Sequence, residues 1–297
     1  MHSKEAGRGV AFGLAAYVIW GFFPLYFKTL TEVDPGEVLA HRIIWSVASL
    51  FIYVTIKSGW KKVRATIGSF RRLALLSVST LLISSNWYVF IYAVEARRVL
   101  DTSAGYYISP LINVLLGFLV LGERLKPVQV FAILLALLGV GVKAWTMGEL
   151  PAISLILAGT FGAYGLVRKF VDADAVTALT VETLLLFPFA IAYAVHLASG
   201  GKAAFLNSHV SIDALLAFSG VLTAVPLVFY GAALTRLKLA TVGVLQYIVP
   251  TLQFMLAVFA FGEEFTRGHM LAFALIWAGI SVYTYDALKG AAPQSRT

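Results

Sequence analysis

Apolar blocks of about 20 residues, separated by short polar breaks, run the length of this chain. That is the length at which an α-helix crosses about 30 Å of hydrocarbon. The blocks are continuous rather than alternating, which excludes a transmembrane barrel. Ten helices are predicted, near 8–28, 38–57, 72–95, 101–121, 127–145, 150–169, 177–198, 211–236, 239–261 and 267–286. The breaks between them hold Asp34-Pro35-Gly36, a basic run from Lys57 to Arg72, Gly122 to Pro127, Gly148 to Pro151 and Gly200-Gly201-Lys202, the residue types that end helices and make turns. The expected fold is an all-α membrane protein of ten transmembrane helices. The first block is full-length and nine more follow, so it reads as a span rather than a cleaved leader. No polar segment is long enough for a soluble domain, and residues 289–297 read as a short tail.

The apolar pattern also repeats. Tyr107-Ile108-Ser109-Pro110 followed by Gly122-Glu123 returns as Tyr247-Ile248-Val249-Pro250 followed by Gly262-Glu263, with 107 matching 247, 110 matching 250 and 123 matching 263. The same offset of about 140 pairs Arg42 with Glu182 and Asn113 with Gln253, a spacing far longer than a solenoid repeat. Trp20-Gly21 and Phe161-Gly162 match one residue out of step. Two repeats are expected, 1–146 and 147–288, each of five helices. Five is odd, so the second copy enters the membrane upside down. Two inverted repeats around a central cavity are the architecture of a secondary transporter that opens to either side in turn.

Composition agrees with a membrane bundle: 60% of residues are hydrophobic and 13% charged, too little polar surface for a soluble chain of this length. The net charge of +8 does not signal nucleic-acid binding, because the basic residues cluster at helix ends. If the N-terminus is cytoplasmic, sixteen Lys and Arg lie on that side. Six (Lys28, Arg97, Arg98, Lys143, Lys202 and Arg267) lie opposite, and Arg42, inside a span, completes the 23. That asymmetry places both termini in the cytoplasm. The basic run is expected to be a loop lying on anionic headgroups.

The chain contains no cysteine, so disulfides and thiolate metal sites are excluded. His41, His196 and His269 have no metal-ligand spacing, and no metal or cofactor is expected. No Gly-x-x-x-x-Gly-Lys-Ser/Thr loop is present, so a nucleotide does not drive the process directly. A membrane-embedded enzyme would need a cluster of acid, base or metal-binding groups. The one close aspartate pair, Asp172 and Asp174, reads as a solvated turn, so the chain is not expected to be an enzyme. A receptor or assembly partner is a second alternative, though such proteins usually carry a soluble domain.

Several strings point to a family: Trp20-Gly21-Phe22-Phe23-Pro24-Leu25-Tyr26-Phe27-Lys28, His41-Arg42-Ile43-Ile44-Trp45-Ser46, Asn86-Trp87, Gly105-Tyr106-Tyr107-Ile108-Ser109-Pro110-Leu111-Ile112-Asn113, Tyr164-Gly165-Leu166-Val167-Arg168-Lys169 and Gln246-Tyr247-Ile248-Val249-Pro250-Thr251-Leu252-Gln253. They lie in order along nearly the whole chain. On them the chain resembles the drug/metabolite transporter superfamily, in particular its EamA-type members and the RarD branch. Ser109 departs from the pattern, where the family often has Asn. The resemblance implies two EamA repeats around a cavity, a place in the bacterial inner membrane, and transport of a small organic solute, by family analogy outward. Relatives export amino acids or other metabolites, and the RarD name is attached to chloramphenicol sensitivity. The expected partners are therefore the solute and the bilayer. One chain is large enough to contain the pathway, so a monomer or homodimer is expected.

The candidate site is read from polar and aromatic residues within the blocks. Pro110 and Pro250 each free a carbonyl four residues earlier, at Tyr106 and Gln246, which a neighbour, water or solute must satisfy in a membrane. Paired interrupted helices mark a transporter cavity, which would place Tyr107, Gln246 and Tyr247 against the solute; a packing kink is the other reading. Asn86 and Trp87 set an amide beside an indole, which suits an amphipathic solute, and Trp20 and Tyr164 would add aromatic walls. Asn113 and Gln253 either join them or hydrogen-bond across a helix interface. Arg42 and Glu182 are expected one turn into their helices, about 7 Å deep. They read either as interfacial anchors or a salt bridge between the repeats, or as gate and coupling residues. Glu182 is the candidate for proton coupling, because a neutral carboxyl moves through apolar surroundings at less cost. Few fixed charges suit a neutral, zwitterionic or aromatic solute better than a polyphosphate.

Overall fold

The structure is a computed structural model. It describes residues 2–57, 59–122, 124–234, 236–237 and 245–291, and every regular element among them is helical. In chain order these are α1 (His2–Gly21), α2 (Phe23–Lys28), α3 (Pro35–Ile56), α4 (Trp60–Ile67), α5 (Phe70–Glu95), α6 (Val99–Leu121), α7 (Pro127–Met147), α8 (Ala152–Lys169), α9 (Ala175–Ser199), α10 (Val210–Leu234), α11 (Ile248–Met255) and α12 (Arg267–Ala291). A wider turn of helix, Leu256–Ala260, extends α11. Among the described residues eight helical stretches, one of them α1 together with α2, are long and apolar enough to cross a membrane; α8 and the Ile248–Ala260 stretch are not among them. The C-terminal turn of α8 carries Arg168 and Lys169. Glu123 and the predicted start of the ninth helix, 239–244, lie outside the described residues.

Large apolar side chains point outward as well as inward: Trp145 is 89% and Phe189 73% exposed. A soluble domain would hide such a surface, and here lipid covers it. Inside, Phe23, Phe27, Phe90, Leu157 and Phe273 belong to one continuous core.

Local chemistry explains most boundaries. Pro24 lies in the first turn of α2 and has no N–H to continue α1, so the predicted 8–28 helix breaks at Phe22. Asp34 caps α3, accepting from the amides of Gly36 and Glu37 at 2.9 and 3.1 Å, with Pro35 in the first turn. Asp174 caps α9 in the same way through the Thr177 amide at 2.9 Å. Both helices therefore begin earlier than the apolar pattern alone suggests. Arg42 and Glu182 each stand seven residues past the helix start, about 10 Å in rather than 7.

The basic run is not a plain loop. It folds into α4, which turns Val63 and Thr66 inward, packs Trp60 at a tilt against Phe51 with ring centres 5.0 Å apart, and pairs Lys62 with Asp174 at 3.4 Å. Arg72 reaches Asp172 at 2.7 Å, so both carboxylates of the 172–174 turn are paired.

Packing is regular. α3 lies against α9 and α10, α5 against α8 and α9, α1 against α10 and α11, α6 against α8 and α11, and α7 runs along α12. Small residues set the close approaches, as is usual where lipid leaves no hydrophobic drive between helices. The tightest is α3 on α10, where a Cβ on Gly220 would run into the backbone of Trp45. Replacing Gly220 by Ala is expected to cost about 1–3 kcal/mol of stability, read as a lower thermal midpoint in detergent. Gly231→Ala, whose added Cβ meets nothing within 4 Å, is expected to leave the midpoint unchanged.

Candidate functional site

Two buried charges lie at corresponding places on α3 and α9. Arg42 is 5% exposed and Glu182 1%, so neither snorkels to the surface. The Arg42 Nε donates to Thr223 Oγ1 on α10 at 3.0 Å, and the Thr223 hydroxyl donates in turn to the Ser219 carbonyl. The guanidinium lies over Trp87 at 4.2 Å, with Phe23 and Phe27 at 5.5 and 5.7 Å. Glu182 accepts from Ser79 Oγ on α5 at 2.6 Å and from the Tyr164 hydroxyl on α8 at 3.4 Å. Arg42 and Glu182 do not pair with each other, and neither forms an ion pair among the described residues. Each instead crosses to the other half of the chain through a hydroxyl.

The repeated Tyr-x-x-Pro strings meet at the α6–α11 contact. Tyr107 and Tyr247 stack at 6.3 Å, and Tyr107 packs edge-on to Trp277 at 6.1 Å. The Tyr107 hydroxyl bonds Thr251 at 2.7 Å. Ser103 donates to the Pro250 carbonyl at 2.8 Å and Thr102 to Gln253 Oε1 at 3.2 Å. Pro110 lies inside α6, whereas Pro250 stands in the first turn of α11, after an interruption at Tyr247. Among the described residues the enclosed Tyr247 hydroxyl makes no hydrogen bond of ordinary geometry.

The remaining candidates separate. Asn86 is fully used between helices: its amide donates to the Leu157 carbonyl at 3.0 Å and to Thr160 at 2.9 Å, and accepts from Tyr106 at 3.0 Å. Trp20 is half-buried in an aromatic cluster with Tyr17 and Tyr230, each at 5.7 Å. Asn113 is exposed on α6, its amide oxygen beside Gly162 and Gly165 of α8. Gln246 is half-buried just before the Tyr247 interruption.

Composition and repeats missed a third cluster, at the α5–α6 end of the bundle. Lys143 of α7, 2% exposed, forms a buried ion pair with Asp101 of α6. Arg98 completes it, reaching Asp101 at 2.7 Å and Glu149 at 2.8 Å. Beside it, Glu263 accepts from the Val99 and Leu100 amides at 2.6 and 2.8 Å, capping α6 from across the fold. Burial pushes the Glu263 carboxyl above its ordinary value, against the pull of those two amides. A cleft of about 330 Å³ opens between Arg98, Asp101, Glu263 and His269. The available signal was Lys143 itself, a cation inside an apolar run. Among the described residues no group of three or more His, Cys, Asp or Glu could hold a metal ion.

An all-helical bundle covered in apolar side chains, with isolated charges held inside it, defines a multi-pass membrane protein. Residues 7–143 match the EamA-like transporter family. The chain is 41% identical over 288 residues to protein RarD of Escherichia coli (strain K12), with 97% of each chain covered. It is also 41% identical to an uncharacterized transporter of Vibrio cholerae, covering 96% of this chain and 95% of that protein. A crystal structure 18% identical in sequence superposes with a TM-score of 0.62, over 95% of this chain and 98% of the other, a likeness of fold. The chain belongs to the EamA-like transporter family, in its RarD branch.

A buried pair stripped of one partner leaves an uncompensated charge, at a cost of about 3–5 kcal/mol. Lys143→Met is therefore expected to lose folded yield and thermal stability in detergent, and adding Asp101→Asn to it is expected to recover part of both. A Lys143→Met protein as stable as the parent would show that the pair does not hold α6 to α7.

Proposed function

We propose that this protein is a secondary transporter of a small organic solute, built from two inverted EamA repeats, 1–146 and 147–288, that expose a central site to each side of the membrane in turn. The observation that supports the reading most is the exchange behaviour of the packing. Moving from the first repeat to the second turns α1 into α8, α3 into α9, α5 into α10, α6 into α11 and α7 into α12. Under that exchange the principal contacts map onto one another: α3 with α10 onto α9 with α5, α5 with α8 onto α10 with α1, and α6 with α8 onto α11 with α1. The pairs α7 with α12, α3 with α9, and α6 with α11 map onto themselves. Halves exchanged by a pseudo-two-fold rotation can swap conformations, so that the site faces one side and then the other, which is what alternating access needs.

In this reading ten helices span the bilayer with both termini in the cytoplasm. Solute sits between the halves, against Trp20, Trp87, Tyr107, Tyr164, Gln246 and Tyr247. Asn86, Asn113 and Gln253 line or brace the same region. Pro110, inside α6, and Pro250, in the first turn of α11 after the break at Tyr247, let α6 and the ninth segment flex. Arg42 and Glu182 act as gate and coupling residues, because each reaches across to the opposite half through one hydroxyl. A single hydrogen bond to a charged group, at about 1.5–3 kcal/mol net, is weak enough to break as the halves rock. Export is favoured by family analogy alone.

Counterflow in liposomes tests the proposal. Reconstituted protein loaded with amino acids, other metabolites or chloramphenicol is expected to accumulate one labelled class saturably; silence across the panel from folded, inserted protein would contradict a carrier for these solutes. If Glu182 takes up a coupling proton, counterflow changes with pH in the parent protein and not in Glu182→Gln. A pH dependence that survives that substitution removes Glu182 from coupling.

A further inference from the structure

Two hollows adjoin at the C-terminal end of α7. One is the cleft of about 330 Å³, with Arg97, Arg98, Asp101, Glu263, Glu264 and His269 on its walls. The other is an apolar groove of about 610 Å³ on α7 and α12, lined by Leu134, Leu138, Gly141, Trp145 and Leu271 among others. Those four large side chains are exposed, so the groove faces lipid. On α7, Thr146 lines the groove and the next residue, Met147, lines the cleft. On α12, Leu271 lines the groove and His269 the cleft. From Leu134 to Thr146 the groove runs about 18 Å along the helix axis. One leaflet contributes about 15 Å of hydrocarbon, so the groove has the depth of a single leaflet. Trp145 stands at its charged end, where an indole marks the membrane–water interface.

The ion pairs of the cleft leave two side chains over. Arg98, Asp101, Lys143 and Glu149 satisfy one another, and Glu263 is bonded to the Val99 and Leu100 amides. Arg97 and Glu264 line the same cleft, yet neither side chain has a hydrogen bond or ion pair among the described residues, with each other or with any other group.

We propose that groove and cleft together hold one phosphatidylethanolamine molecule, with an acyl chain along α7, its phosphate on Arg97 and its ammonium on Glu264. The inference goes beyond the carrier reading and does not depend on it. Charge favours a zwitterionic headgroup. The walls carry Asp101, Glu263 and Glu264 against Arg97 and Arg98, whereas an anionic headgroup calls for a basic cluster. A guanidinium and a phosphate form charge-assisted hydrogen bonds, and a primary ammonium brings three N–H donors to a carboxylate. A choline headgroup has no such donors and binds in aromatic cages. The one aromatic residue lining the cleft, Phe261, already has the Lys28 ammonium over its ring at 4.0 Å.

Native mass spectrometry tests the proposal. The full chain in detergent is incubated with equimolar phosphatidylethanolamine, phosphatidylcholine and phosphatidylglycerol of matched acyl chains, and the retained lipid is identified by mass. Phosphatidylethanolamine is expected to be retained about three- to fivefold over each of the others, the size of one partly exposed ion pair. Glu264→Gln is expected to erase that preference. Arg97→Gln is expected to lower retention of all three, because the phosphate is common to them. A Cβ on Gly141 meets nothing within 4 Å, so Gly141→Leu has room to fold; it fills the groove and is expected to lower all three while keeping the headgroup preference. Arg97, Gly141 and Glu264 are exposed, and the thermal midpoint in detergent checks that each variant is folded. No retained lipid, equal retention of the three, or a phosphatidylethanolamine preference that survives in Glu264→Gln overturns the inference. So does retention that is unchanged in both Arg97→Gln and Gly141→Leu.

Discussion

A charge inside a bundle of apolar helices must be held by hydrogen bonds or an opposite charge, because lipid offers neither. That constraint organises this protein. At the α5–α6 end it is met in full: Lys143, Asp101, Arg98 and Glu149 form a closed network, and Glu263 satisfies two amides at the start of α6. In the interior it is met only in part. Glu182 has two hydroxyl donors and no cation paired with it, and Arg42 has one hydroxyl acceptor and an aromatic bed. The full network has the chemistry of a fixed strut. The partial ones leave hydrogen-bonding capacity unfilled among the described residues, which is the chemistry a joint or a site requires.

The contrast also separates stability from function. The closed network has no counterpart in the second half: the offset that carries Arg42 to Glu182 takes Asp101 to Thr241 and Lys143 to Tyr283. The two partial sites do correspond, on α3 and α9, each bonded to the opposite half. A strut can stand at one end only. A device that works from both sides of a membrane needs related parts on each.

Much of the fold is legible in the apolar pattern, because block length against bilayer thickness is a strong signal. Among the described residues, eight helical stretches long and apolar enough to cross a membrane fall in predicted blocks. The differences have local causes that hydropathy does not weigh. Caps at Asp34 and Asp174 draw α3 and α9 outward and set Arg42 and Glu182 deeper. Val63 and Thr66 find an apolar seat, which makes α4 a helix within a basic run. The site is less legible, since sequence marks which residues are polar and not where their hydrogen bonds go. Asn86 looks free beside Trp87 in the sequence, yet in the fold both ends of its amide are taken. Asp101 and Lys143 stand 42 residues apart at the ends of two helices, so only the packing of α6 on α7 reveals them as a pair.

The central claim is that the two halves rock against each other about a shared site. The absence of cysteine makes it accessible to paired spin labels. Arg97 and Lys202 mark one end of the bundle. The offset carries them to Leu237 and Lys62, which mark the other. Double electron–electron resonance on both pairs, in nanodiscs with and without transported solute, reports the two separations. Alternating access predicts two distance populations in each pair, with solute lengthening one as it shortens the other. A single unchanged population at both ends would contradict it.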